Sequence, residues 1–343
     1  MMFHAPVERM SVNSTVGAER SFSPGMKFRL SLAPVILLLL LKTAGAQQPL
    51  APIVDTPLEQ ARRSLQSGDL AKANATLQSY LAQHANSAEA HFLLGYALFL
   101  QQKPTESLAQ YTAGARSQRP SPNDLKIVSF DYVLLGDYAD ADKWLSAVVA
   151  ETPQDAHAWY LLGRAKYNEN HFAEAIECFT HALRLSPHDV KSENNLGLSY
   201  EGLNRIDDAR KSYAQAIQWQ QDAAAKSGQP YLNMGILLTE QGHPDQALPY
   251  LQQAATLEPA NPKAHEQLGR AYQALQMLPQ AEKELKDAVK LAPNVSALHF
   301  RLGQIYQHLG LKQEAQSEFA LCATLNSTHS SIDTPNPAEL PRQ

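Results

Sequence analysis

Twelve histidines and two cysteines are the first places to look for chemistry in this chain. A metal site on a helix needs a second ligand one turn away, and His157 and His308 have none at i+3 or i+4. His91, His265 and His299 recur at one register of a repeating pattern, which suits packing rather than ligation. Cys178 and Cys322 cannot build a disulfide framework, a four-cysteine zinc site or an iron–sulfur site. The patterns H-E-x-x-H, G-x-S-x-G, G-x-G-x-x-G, the phosphate-binding loop and C-x-x-C are all missing from the sequence. What remains is aromatic rings, amides and spaced cations. Rings anchor a partner's side chains. Amides bond an extended backbone. Cations take carboxylates. This is the chemistry of binding, and the reading assigns no catalytic, metal or cofactor residue.

The elements that must position these groups come from one repeat. Residues 156–189 read AHAWYLLGRAKYNENHFAEAIECFTHALRLSPHD, and residues 262–295 read PKAHEQLGRAYQALQMLPQAEKELKDAVKLAPNV. Sliding that frame gives eight units: 54–87, 88–121, 122–155, 156–189, 190–223, 228–261, 262–295 and 296–329. Only residues 224–227 fall outside the frame. Position 8 is Ala61, Gly95, Ser129, Gly163, Gly197, Gly235, Gly269 and Gly303. Position 20 is Ala, or Ser107 in the second unit. Position 24 is always large: Leu77, Tyr111, Leu145, Phe179, Tyr213, Leu251, Leu285 and Phe319.

These columns describe a pair of packed helices. Positions 4, 7, 8 and 11 share one face of a first helix, and 20, 24 and 27 one face of a second. Small residues at 8 and 20 let the backbones approach, and the large residue at 24 fills the space beside them. Pro153, Pro187, Pro259 and Pro293 at position 32 end the second helix. Pro104 and Pro244 suit the start of a second helix. Pro249 falls inside one and is expected to weaken or bend it.

Trp159, Leu162, Gly163, Tyr167, Ala175, Phe179, Ala182 and Pro187 in the fourth unit resemble the tetratricopeptide repeat family. The resemblance implies an all-α fold, a right-handed α-solenoid of eight helix-turn-helix repeats. It also implies a non-catalytic scaffold that binds a peptide or protein segment in a concave groove lined by the first helices. Helix positions 2, 5, 6, 9, 12 and 13 are expected to face that groove. Units 2–4 offer Phe92, Tyr96, Phe99, Phe130, Val133, Tyr160 and Tyr167, with Arg164 among them. Units 5–8 offer Lys191, Asn194, Asn195, Asn233, Lys263, Gln267, Arg270 and Arg301. Asn195, then Lys263 and Gln267, resemble part of the carboxylate clamp of chaperone-binding members. Gln267 stands there in place of an arginine.

The chain has 343 residues, 44% hydrophobic and 18% charged, with net charge −5. That balance is globular and leaves no electrostatic footprint for nucleic acid. Residues 26–29 are basic, 30–41 mostly apolar, and 42–46 end in A-G-A. This is the layout of a secretory signal peptide (26–46) cleaved after Ala46. The expected product is soluble, periplasmic or secreted, and has no stable membrane span. Residues 1–25 read as disordered or as an over-called start, 47–53 as a linker and 330–343 as a disordered tail. The insert at 224–227 is Ala-rich, and the second helix of unit 5 is expected to run one turn longer through it. Unit 8 ends without a polar capping helix, so its outer face is expected to be atypical. The alternative function is an accessory or assembly factor for an envelope or glycan-modifying complex, working through its ends.

Overall fold

The computed structural model describes residues 56–332, with side chains through residue 327. All but these lie outside the description, including the proposed signal peptide, the linker and residues 333–343. The described residues belong to one compact unit, Val54–Gln343.

Sixteen helices and no strand occur among the described residues. In chain order they are α1 (Pro57–Gln66), α2 (Leu70–Gln83), α3 (Ala88–Leu100), α4 (Pro104–Ala115), α5 (Pro122–Leu135), α6 (Tyr138–Glu151), α7 (Ala156–Asn168) and α8 (Phe172–Leu185). Then follow α9 (Val190–Gly202), α10 (Ile206–Trp219), α11 (Gln229–Glu240), α12 (Pro244–Leu257), α13 (Pro262–Ala274), α14 (Leu278–Leu291), α15 (Ser296–His308) and α16 (Lys312–Ile332). Each helix packs on the one before and the one after. The unit is an all-α solenoid of helical repeats. Odd-numbered helices also meet their odd successors, as α3 meets α5 and α7 meets α9, and even helices do not come this close. The odd helices therefore line the inner side of the curve.

Local sequence explains the helix ends. Ser87, Ser121, Asp155, Asp189 and Asn261 cap α3, α5, α7, α9 and α13 by accepting a backbone N–H. Each odd helix stops at a residue with positive φ: Gly68, Gln102, Gly136, Asn170, Asn204, Gly242, Gln276 and Gly310. The mixed identity of this column hides it from a comparison of repeats.

The core is built by position 24 standing on position 8. A Cβ on Gly163 would lie 2.7 Å from the Phe179 ring, and one on Gly197 would lie 2.5 Å from the Tyr213 ring. Ala73, Ala141, Ala175, Ala209, Ala247 and Ala281 at position 20 are fully buried. The helices are thus drawn together by rings and branched chains seated where side chains are missing.

Three expectations meet the structure at the helix ends. The insert does not lengthen α10, which ends at Trp219 and has 14 residues, like α8 and α12. Gln220 turns back instead, only 3% exposed. Its Oε1 accepts from Ser227 N at 2.8 Å, and its Nε2 donates to Ser227 O at 3.0 Å. Two hydrogen bonds, each worth about 1 kcal/mol, outweigh helix propensities of a few tenths. Gly228 N then donates to Glu258 Oε1 at 2.7 Å and ties the insert to the next joint. Pro249 is accommodated inside a 14-residue α12 without shortening it. In the last unit α16 runs 21 residues, past 329 to Ile332. Phe300 is 47% exposed there, whereas Tyr160 at the same register is 7% exposed under α9.

Candidate binding face on the odd helices

The aromatic residues of α3, α5 and α7 form a continuous run. Tyr96 stacks on Phe99 with centroids 6.4 Å apart, and Phe99 on Phe130 at 5.8 Å. Phe130 reaches His157 at 6.4 Å, and His157 stacks on Tyr160 at 6.2 Å. The run crosses three successive odd helices because register repeats every unit on the inner face. A cleft of about 640 Å³ opens beside it, walled by Phe92, Tyr96, Tyr111, Ile127, Phe130 and His157. Partial burial against the neighbouring rings, and then the Lys126 ammonium, lower the His157 pKa from its ordinary value. Phe92, Tyr96, Phe99, Phe130 and Val133 are half-buried and stay within reach of a partner.

Several expected groove residues lie elsewhere. Tyr160 is buried, with its ring 6.0 Å from Phe179. Position 5 faces the next unit, so α9 covers it. Tyr167 packs edge-on against Phe172 at 5.5 Å. Asn194 and Asn233 are 5% and 6% exposed. They meet each other inside the α9–α11 contact, Asn233 Nδ2 donating to Asn194 Oδ1 at 2.9 Å. Gln267 is buried, and its Oε1 accepts from Arg270 Nη1 at 2.8 Å, so it cannot serve a clamp. Asn195 donates to the Lys191 carbonyl at 2.8 Å, and Lys191 stays exposed. Arg164 is half-buried between the two halves of this face.

The cations of the later units are gathered around one acid. Lys263 Nζ lies 3.0 Å from Glu266 Oε2, and Arg301 Nε lies 2.9 Å from Glu266 Oε1. The Arg301 contact is an ion pair without an aligned hydrogen bond. Burial, and then the charge of Arg301, lower the Arg270 pKa. Glu240 lies beside Arg270 as well, so the three cations Lys263, Arg270 and Arg301 stand against two carboxylates and this end of the inner face stays net positive.

Three histidines serve structure. His91, His265 and His299 each place Nε2 by the carbonyl at position 32 of the preceding unit, namely Ala85, Pro259 and Pro293, at 2.8–3.1 Å. Their Nδ1 atoms face Gln110, Glu284 and Glu318. Trp159 donates to the Pro153 carbonyl in the same way. One ring at position 4 thus ties each of these units to its predecessor. His265, Glu284 and Asp287 form the one grouping among the described residues with metal-ligand spacing. Lys283 Nζ already lies 2.8 Å from Glu284 and 3.4 Å from Asp287, and His265 is engaged on both nitrogens. The donor set fits a structural ion pair better than a cation site. Burial pushes the Cys178 thiol up to about 12, which leaves it inert.

Comparison with known proteins matches this geometry. Models of the tetratricopeptide repeat match residues 58–123, 156–189, 190–257, 238–299 and 296–329. The chain belongs to the tetratricopeptide repeat family. Among curated relatives, protein O-mannosyl-transferase TMTC1 of Mus musculus is 28% identical over 159 residues, 45% of this chain and 16% of that protein. TMTC1 of Homo sapiens is 26% identical over 193 residues, 55% of this chain and 21% of that protein. The chain thus spans at most about a fifth of these relatives. Among solved structures, a tetratricopeptide repeat protein from Parabacteroides merdae superposes with TM-score 0.61 at 17% identity, covering 73% of this chain and 97% of that one. The Cut9–Hcn1 hetero-tetramer of APC/C gives 0.56 at 18% identity, with 78% and 52% covered. At these identities the likeness is one of fold.

Proposed function

We propose that the protein is a non-catalytic scaffold that binds a protein or peptide segment along the inner face of its odd helices. The observation that carries this reading is the unbroken run of rings from Tyr96 through Phe99 and Phe130 to His157 beside a cleft of about 640 Å³. Rigidly held rings supply contact area at low entropic cost. The positive end around Lys263, Arg270 and Arg301 suits acidic residues of the same partner. Further, we infer export, with residues 26–46 as a cleaved signal; no helix among the described residues is long and apolar enough to cross a membrane.

The test uses the chain purified from Gln47 onward and random twelve-residue peptides displayed on phage. Selected peptides are expected to bind the wild type and to lose at least tenfold on Tyr96→Ala with Phe130→Ala, measured at a temperature where circular dichroism shows the variant fully folded. Equal binding by that variant would refute the reading. Similarity to the O-mannosyl-transferases favours a second reading, an accessory factor for a glycan-modifying enzyme that acts through the ends of the solenoid. Under that reading, substitutions at Phe300 and Leu321 abolish partner binding and those at Tyr96 and Phe130 do not.

A further inference from the structure

We propose that the cleft between α3, α4 and α5 takes a cationic side chain, lysine or arginine, from the bound segment. The inference rests on the inner-face reading and names the chemistry of one subsite within it.

The walls come first. Phe92 and Tyr111 stack with centroids 5.9 Å apart, and Tyr96, Phe130 and His157 complete the ring lining. Faces of such rings attract cations.

The charges decide between a cation and an apolar anchor. Two charges in the wall are already matched, one acid and one cation: Glu89 pairs with Arg62, and Lys126 Nζ lies 2.7 Å from Asp155 Oδ2. Those pairs add no net charge. Asp124 is different. Its Oδ2 accepts from Ser121 N at 2.9 Å and Ser121 Oγ at 2.6 Å, and it is in no ion pair among the described residues. Asp131 on α5 is fully buried, and both its carboxylate oxygens lack a hydrogen-bond partner. The nearby Ser107 hydroxyl is used elsewhere, donating to Gly95 O at 2.9 Å. Burial, then Asp124 and Asp131, raise the Tyr111 pKa, which reports a negative potential at its hydroxyl. That hydroxyl is also buried without a partner. Tyr111 lines the cleft, and so does Asp124.

An aliphatic anchor would leave this potential unanswered, and a carboxylate would be repelled by it. An ammonium or guanidinium meets both the ring faces and the Asp124 carboxylate at the cleft wall, with Asp131 adding to the negative potential once it ionises above about pH 7. The opposite end of the inner face, around Arg270 and Arg301, has the reverse sign. A partner segment with a basic residue at the cleft and acidic residues toward α13 and α15 would therefore bind in one direction only.

The probes are three capped tripeptides, acetyl-Gly-Arg-Gly-amide and its citrulline and norleucine counterparts. Citrulline keeps the shape of arginine and removes the charge. Binding is read from aromatic resonances of the full exported chain. The arginyl probe is expected to bind at least tenfold tighter than the citrulline probe. Asp124→Asn should cut that ratio severalfold. Asn can still accept from Ser121 N there, and Asp131→Asn, read at about pH 8 where that carboxyl is ionised, supplies the same readout from a second site. Equal or tighter binding of norleucine overturns the proposal but leaves the inner-face reading intact. A ratio unmoved by both variants also overturns it. If no probe perturbs the rings of α3 or α5 at millimolar concentration, the subsite is refuted. The phage selection above then decides separately whether the inner face binds segments at all.

Discussion

Replacing Gly197 by alanine places a Cβ 2.5 Å from the Tyr213 ring, which is fully buried and cannot retreat. The expected cost is about 1–3 kcal/mol, measured by urea unfolding, and a neutral result would contradict the account of the core. Asp131 makes a different demand. Burial raises its carboxyl from the ordinary 3.8 to about 7. The unfolded chain loses this proton first, so the protonated form contributes stability that is fully present below about pH 4. That contribution is lost as pH rises through about 7. Glu201 acts in the same direction, since burial raises it from 4.5 to about 7 while Tyr213 donates to it at 2.5 Å. Stability is therefore expected to fall between about pH 4 and pH 7. Asp131→Asn should remove part of that fall, on the order of 1–3 kcal/mol, with the Glu201 part remaining. An identical slope in wild type and variant would show that Asp131 is solvated or paired in solution.

At the scale of the element, the turn inside each unit uses a left-handed residue, and Gln102 and Gln276 hold that shape with φ of 59°. A side chain there costs about 1 kcal/mol that glycine avoids. Gln276→Gly should raise stability by a few tenths to 1 kcal/mol, and a loss would mean the side chain has an unseen role. The clamp made by Gln220 predicts a local effect. Gln220→Ala should cost on the order of 1–2 kcal/mol at most, with the effect concentrated locally: amides of 221–227 exchange faster and proteases cut there first. Much of this architecture is legible in the sequence because its causes are local. Gly at position 8 and Ala at 20 mark where rings such as Phe179 must sit, and Pro at 32 marks a helix end. The α10 terminus is not legible, because Gln220 is read as a helix former until its amide is seen reaching Ser227. The binding face is legible only in part. Phe99 and Phe130 lie on the inner side as register implies. Tyr160, Asn194, Asn233 and Gln267 share helix faces with exposed residues but are covered by the neighbouring unit. Which polar residues meet across units depends on the spacing between repeats, and one repeat's pattern carries no record of it. Asp131 follows the same logic: position 10 packs against the preceding unit and holds Ala in units 2, 4 and 7. A charge there is the signal that could have drawn attention to the α4–α5 joint.

Across the whole molecule, units joined only to their neighbours share stability through interfaces, so a partner that spans several odd helices should tighten them together. The ties from His265 and His299 to the preceding units lie on this route. The most direct measurement is amide hydrogen exchange of the chain from Gln47 onward, with and without a peptide from the phage selection. The account predicts slowed exchange on α3, α5 and α7, with the even helices α4, α6 and α8 protected less. Protection confined to the even helices, or to α15 and α16 at the end of the solenoid, would contradict the claim that the inner face is where this protein binds.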